Sequence, residues 1–470
     1  MARGKGPCVK CWAAFVAVLL VVGYFTGVLT PVLDKVWAMV NTSGPMTTPA
    51  PLWQQKLGGT PRSGTIAGGA VIIEHRTLVE SRGLGSGAQL WEHKADWAAV
   101  AGEGNSAVVA TGKLLVKGYD VIDPMSGALL RKDTEARAVW TYQNGLLDVR
   151  CHAPEDCTLT AWDPRGSTPR WSVEIPGIGF VLFADNPDIL GTQPMTARRI
   201  DGNAAGPDLM PPMLGLPIDN RVFIVDTATG KVVQELEPER DERVVVVGGR
   251  VLRIKAVSAD GTCYFSVVAS DAATGGEVWR NAGINLRTAK DGGCAQRDDP
   301  AGGRNVVVGV AADARELVID AYDGRILFTS APGEHLLGVD DRYAVVRSAD
   351  GGAVRTVELG GKGRWQRPAA PRSSVALTPP AVVVVDEDPD KIIALNPGTG
   401  AELVNVRSSA DVLAVGPAGM VIVSGRDLAY LQFKGGSGVP APPPAGGNSG
   451  NSGSDDDNCG GPKQEVCRGN

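Results

Sequence analysis

The hydrophobic positions of this chain fall in short runs closed by small polar turns, and the alternation continues through most of its 470 residues. Val222-Phe223-Ile224-Val225 is followed by Asp226-Thr227-Ala228-Thr229-Gly230 and then by Lys231-Val232-Val233. Runs this short and this rich in Val, Ile and Leu predict strands. The turn recurs eight times, with its glycine at Gly87, Gly127, Gly166, Gly230, Gly275, Gly324, Gly361 and Gly400. Successive glycines lie 40, 39, 64, 45, 49, 37 and 39 residues apart. Most copies carry an Asp or Asn three to four residues upstream: Asp123, Asp163, Asp226, Asp271, Asp320 and Asn396. Such a side chain bonds the local backbone, and glycine accepts the positive φ that closes the turn. A large ring often follows four residues later, as Trp91, Trp279, Phe328 and Trp365, with Trp171 one residue late.

A β-rich unit repeated about every 40–50 residues predicts sheets packed radially, because one such sheet cannot bury both of its faces alone. Eight turns precede a last half-unit, Val412 to Phe433, which has strands and no turn of its own. Leu52 to Leu57 reads as an outer strand without partners. Joined, the two ends bring a strict count to nine units. Propellers usually have four to eight blades, so the expectation is an all-β, eight-bladed β-propeller with one unit degenerate or merged. The longest interval, before Gly230, is where the irregularity is expected.

Asp271-Ala272-Ala273-Thr274-Gly275-Gly276-Glu277-Val278-Trp279 is the fullest copy of the pattern, and it resembles the repeat of the PQQ-like (quinoprotein-type) β-propellers. Ile224 to Gly230 is similar to the related YVTN repeats. The resemblance spans Leu52 to Phe433 and implies that Trp91, Trp171, Trp279 and Trp365 dock on the neighbouring blade. It also implies one of two functions. Many members are non-enzymatic scaffolds, such as the outer-membrane assembly lipoprotein of the BamB type; others are PQQ-dependent dehydrogenases that hold the quinone and a calcium ion in the central funnel. This sequence has no vicinal Cys-Cys and no Cys-x-x-Cys-His, and its repeats are short. The expectation is a binding or scaffold module without catalytic activity and without a cofactor or metal, with a protein or cell-envelope partner. The alternative is a PQQ-dependent quinoprotein oxidoreductase.

Residues 12–33 contain no charged side chain, which is long enough for a transmembrane helix. Arg3, Lys5 and Lys10 precede it, placing residues 1–11 in the cytoplasm and the propeller outside. The expected protein is thus a single-pass, signal-anchored cell-membrane protein, with a linker at 34–51, a propeller at 52–434 and a disordered low-complexity tail at 435–470. Six cysteines follow the apolar run, in the local pairs Cys151 and Cys157, Cys263 and Cys294, and Cys459 and Cys467. An even, local set outside the cytoplasm predicts disulfides.

Charge removes one class of partner. The net charge is −6; with +3 in residues 1–33 and −2 from residue 435 onward, the repeat region carries about −7. Nucleic-acid binders show a basic stripe instead. The four histidines are scattered, and neither a nucleophile elbow nor a phosphate loop is present. The distinctive local feature is the interval from Asp185 to Asn220, where Leu209, Met210, Met213, Leu214 and Leu216 stand among Gly and Pro. A long apolar, Met-bearing loop serves as an adaptable contact surface, so these five residues are the candidate partner-binding loop.

Overall fold

The computed structural model describes residues 44–178, 190–195, 200, 202–288, 294 and 301–435. Among them the chain forms nine antiparallel sheets, seven of four strands and two of three. Numbered in chain order, the blades span 63–93, 97–133, 136–175, 213–236, 243–282, 306–329, 335–368, 374–407 and 411–432. The ninth takes its outermost strand, Trp53–Lys56, from the other end of the chain. The expected eight-bladed propeller is therefore corrected to nine blades. The two ends do combine into one blade, and that blade is a full member of the ring.

The packing explains why nine sheets hold together. Inner strands such as Val306–Val310 and Val382–Glu387 are buried along most of their length, whereas the outer strand Gln89–His93 is largely exposed. Nine apolar clusters lie between neighbouring blades, one at each interface. The cluster between blades 9 and 1 includes Trp53, Leu57, Val71, Ile73, Leu413 and Tyr430, so the ring closes on apolar contacts like those elsewhere. Burial of this kind is the main favourable term in folding.

The repeated turn links each blade to the one before it. The Asp or Asn oxygen accepts two backbone N–H groups within the turn, as Asp226 does from Ala228 and Thr229, and Asp271 from Ala273 and Thr274. In five turns the glycine, at Gly87, Gly127, Gly230, Gly324 and Gly400, then lies under the ring of a Trp from the preceding blade. Each indole N–H donates to the carbonyl three residues before that glycine: Trp53 to Leu84 (2.7 Å), Trp91 to Pro124 (2.9 Å), Trp171 to Thr227 (2.8 Å), Trp279 to Ala321 (2.9 Å) and Trp365 to Pro397 (2.8 Å). In blades 1 to 8 the outer strand pair shifts register once beside the turn. In blade 9 the outer pair has no connecting turn, and Trp53 to Lys56 runs against Tyr430 to Asp427 without a shift.

Cys151 is bonded to Cys157 across a hairpin of blade 3. Cys263 is bonded to Cys294, tying the long hairpin of blade 5 to the chain leading into blade 6. Cys459 and Cys467, the tail 435–470 beyond its first residue, and the expected span 12–33 lie outside the described residues. Among the described residues no helix is long and apolar enough to cross a membrane. The expected fold class with its transmembrane helix, and the single-pass membrane localisation built on it, are corrected accordingly. Part of the expected linker belongs to the fold: Thr48 and Arg407 exchange both backbone hydrogen bonds, at 3.1 and 2.9 Å.

Candidate functional site

Two blades lack a regular innermost strand among the described residues, and the chain uses that space. Blades 4 and 6 have three strands each. Beside blade 4, Leu190 donates its N–H to Gly215 (2.9 Å) and accepts from Val246 of blade 5 (2.7 Å). Gln193 then pairs in parallel with Ala301, and the Thr192 hydroxyl bonds the Gly303 carbonyl, both beside blade 6. Ile200 pairs with Val412 of blade 9, and the short 3-10 turn Gly202–Ala205 packs on the inner strands of blades 9 and 1. Finally the Asp208 carbonyl accepts from Gln143 (2.8 Å) and the Met210 N–H donates to the Asn144 side chain (2.9 Å), both in a turn of blade 3. The described stretches before blade 4 thus meet blades 5 and 6 at 190–195, blades 9 and 1 at 200 and 202–205, and blade 3 at 208–210. Blades 5 and 9 lie on opposite sides of a nine-membered ring, so these stretches reach both sides of it.

A cavity of about 950 Å³ lies against these described stretches. Its wall is built from Trp140 and Tyr142 of blade 3, the inner strand Arg243–Val247 of blade 5, and the turns at Val339–Arg342 and Ala376–Pro379. The stretches before blade 4 add Met195, Asp208 and Leu209. This is the size of a ligand pocket, and its wall mixes apolar and polar surface in nearly equal shares.

The charged groups on the wall differ in how they are held. The Asp340 carboxylate accepts from the N–H groups of Arg342 (2.7 Å) and Tyr343 (2.6 Å). Asp341 accepts from Asn305 through its backbone (2.7 Å) and its side chain (3.2 Å), with Arg304 3.7 Å away. Arg342 is drawn outward to Glu358 at 3.5 Å, and Arg243 is partnered as well. Asp208 is exposed to the cavity. Desolvation by the surrounding protein, reinforced by Asp341 and Asp340, holds its carboxyl above the usual carboxylate range. Burial likewise raises Asp340, against the pull of its backbone hydrogen bonds. Tyr142 is pushed up by burial and by Asp208.

The five candidate loop residues separate here. Met213–Ile218 is a strand of blade 4. Leu214, Leu216 and Met210 are buried in the core between blades 3 and 4, which corrects their expected place on a free surface. Leu209 is 41% exposed and Met213 half-buried, and both line the cavity. Asp208, Asp340 and Asp341 were not flagged by the sequence; an Asp-Asp pair in a turn is common, and only the ring brings Asp208 opposite to it.

The PQQ_2 family, described as outer membrane protein assembly factor BamB, matches residues 264–406, from the second half of blade 5 to the end of blade 8. Within the nine-bladed β-propeller, blades 5 to 8 thus carry PQQ-like repeats. No curated protein sequence matches the chain. Among solved structures it is similar to BamB from Moraxella catarrhalis, at 14% identity and TM-score 0.33, covering 76% of this chain and 98% of that one. It is similar also to the computationally designed Ika8 protein, at 17% identity and TM-score 0.37, covering 73% and 97%. The quinohemoprotein alcohol dehydrogenase ADHIIG from Pseudomonas putida HK5 matches at 11% identity and TM-score 0.35, covering 84% and 78%. Among the described residues no group of three His, Cys, Asp or Glu is placed to hold a metal ion.

Proposed function

We propose that this PQQ-like propeller is a binding module that holds a protein partner at the central cavity and carries out no chemistry. The observation that carries the reading is the cavity of about 950 Å³, walled by apolar and polar side chains from several blades and by the described stretches 190–195 and 208–211 that lead to blade 4. A rigid ring presenting a pocket that combines apolar walls with fixed polar groups suits recognition. The match to a family described by an assembly factor supports a protein partner.

A photo-crosslinking amino acid at Leu209, in the full chain expressed in its native cell, tests this. We expect a covalent adduct with a discrete protein, identified by mass spectrometry. The same probe at Leu130, on the outer strand of blade 2, should give none. Addition of PQQ and calcium to the purified chain should leave its absorbance without a bound-quinone band. A quinone band accompanied by dye reduction would replace this reading with an oxidoreductase.

A further inference from the structure

The cavity wall carries six charged side chains: Asp208, Arg243, Arg304, Asp340, Asp341 and Arg342. Five have partners. Asp340 is fixed by two backbone N–H groups, Asp341 by Asn305, Arg304 by Asp341, Arg342 by Glu358, and Arg243 is engaged too. Asp208 alone has no hydrogen-bond or ion-pair partner for its carboxylate among the described residues. Its position is nevertheless fixed, because its own carbonyl is bonded to Gln143 and the next residues are anchored through Asn144. Asp208 is exposed to the cavity, with no counter-charge on its carboxylate among the described residues. Its negative field is reinforced by Asp340 and Asp341.

What would relieve that field is a cation on an apolar stem. The surroundings of Asp208 supply both halves of such a contact. Tyr142 is an aromatic neighbour over which a cation is attracted, and Leu209 and Met213 are apolar wall residues open to the cavity. Lysine and arginine side chains have this form, an aliphatic stem ending in a charged head. A cavity of about 950 Å³ is larger than one such side chain needs and has room for the residues beside it.

We propose that the cavity receives a segment of the partner protein whose lysine or arginine meets the Asp208 carboxylate, with the apolar residues beside it lying on Tyr142, Leu209 and Met213. This rests on the binding-module reading above and adds the chemistry of what is bound. Arginine is favoured over lysine, because its planar head both forks onto a carboxylate and stacks on a ring.

The test selects a phage-displayed library of random heptapeptides against the full chain and, separately, against Asp208→Asn, which keeps the shape of the side chain and removes its charge. We expect the native chain to enrich peptides with a basic residue next to an apolar one, and Asp208→Asn to lose that preference. A synthetic peptide of the leading sequence should bind the native chain about tenfold or more tightly than it binds Asp208→Asn, the change expected for one charge-assisted contact. Replacing its basic residue by glutamine should weaken binding equally, and combining the two changes should add nothing. Asp388→Asn, on an exposed hairpin of blade 8, should leave binding unchanged. An unaltered melting curve for Asp208→Asn separates loss of binding from loss of fold. Absence of enriched peptides, enrichment without a basic residue, or affinity indifferent to Asp208→Asn would overturn the proposal. So would displacement of the peptide by free arginine amide at the peptide's own concentration range, which would make the ligand a small amine. If Leu209 still cross-links a protein in those cases, the binding-module reading stands without this refinement; if it cross-links none, that reading falls first.

Discussion

The smallest unit of this fold is a pair: one ring and one glycine. Trp279 lies on Gly324, and a Cβ built on that glycine would stand 2.7 Å from the indole Cδ2 atom, at a φ of +76° that side-chain-bearing residues seldom adopt. Gly324→Ala should therefore cost about 2–3 kcal/mol, combining backbone strain with displacement of the ring. Trp279→Ala should cost about 3 kcal/mol, near the low end for a core aromatic because the ring is only half-buried. The two should not add. Once the ring is gone, alanine at 324 meets only its own backbone penalty, so denaturant midpoints of the double mutant should reveal a coupling of about 1 kcal/mol or more. The register position of Trp279 is filled by Trp in blades 1, 3, 5, 7 and 9. Blades 2, 4, 6 and 8 carry Arg131, Gln234, Phe328 and Val404 there. Arg131 still reaches the next turn, donating to the Gly166 carbonyl at 3.3 Å while stacking 3.9 Å over the Trp162 ring.

At the scale of elements, the interval between blades 3 and 4 contains two different things. Its described stretches at 190–195, 200 and 208–210 bond the inner sides of other blades, and its last part, Met213–Ile218, is blade 4 itself. Replacing Leu209 through Leu216 with a Gly/Ser linker should accordingly destabilise the protein by about 4 kcal/mol or more, since Leu214 and Leu216 are each buried in the core. Exchanging the exposed hairpin tip Leu114 to Val116 of blade 2 for polar residues should change the melting temperature little. Thermal melts of the two variants side by side decide the matter. The strand was hidden in the sequence by Gly215 and Pro217, which read as breakers. In the fold Gly215 turns its carbonyl to the inner side, toward Leu190, and Pro217, two residues on, presents its nitrogen to that same side, off the ladder with the next strand. The turns were legible because their Asp, Thr and Gly act locally. The cavity was not, because Asp208, Asp340 and Tyr142 come together only through ring closure.

For the whole molecule, closure is the deciding event. The sequence contained the count of nine, in eight turns plus two unpaired ends, and the usual size of propellers argued it down to eight. Trp53 was unreadable as a repeat Trp, because the turn that normally precedes it in its own blade does not exist. Removing residues 1–57 should open the ring, with loss of Trp53, its 5.9 Å stack on Tyr430, and the buried Leu57. The expected cost is about 5 kcal/mol or more, read as a lowered denaturant midpoint. A synthetic peptide of residues 44–57 added in trans should restore part of it, because the register of its pairing is set by unshifted backbone hydrogen bonds.

That clasp has a consequence for the order of events in the living cell. Trp53–Lys56 is among the first strands of this fold to leave the ribosome, and its partner, Asp427–Gln432, is among the last. At translation rates of about 5–20 residues per second, the early strand waits roughly 20–75 seconds for the edge it belongs to. Eight blades can stack while that time passes, but none of them can serve as the lock. The nascent chain is thus an open helix of blades with an apolar face at either end, and it becomes a closed ring only after synthesis has reached blade 9.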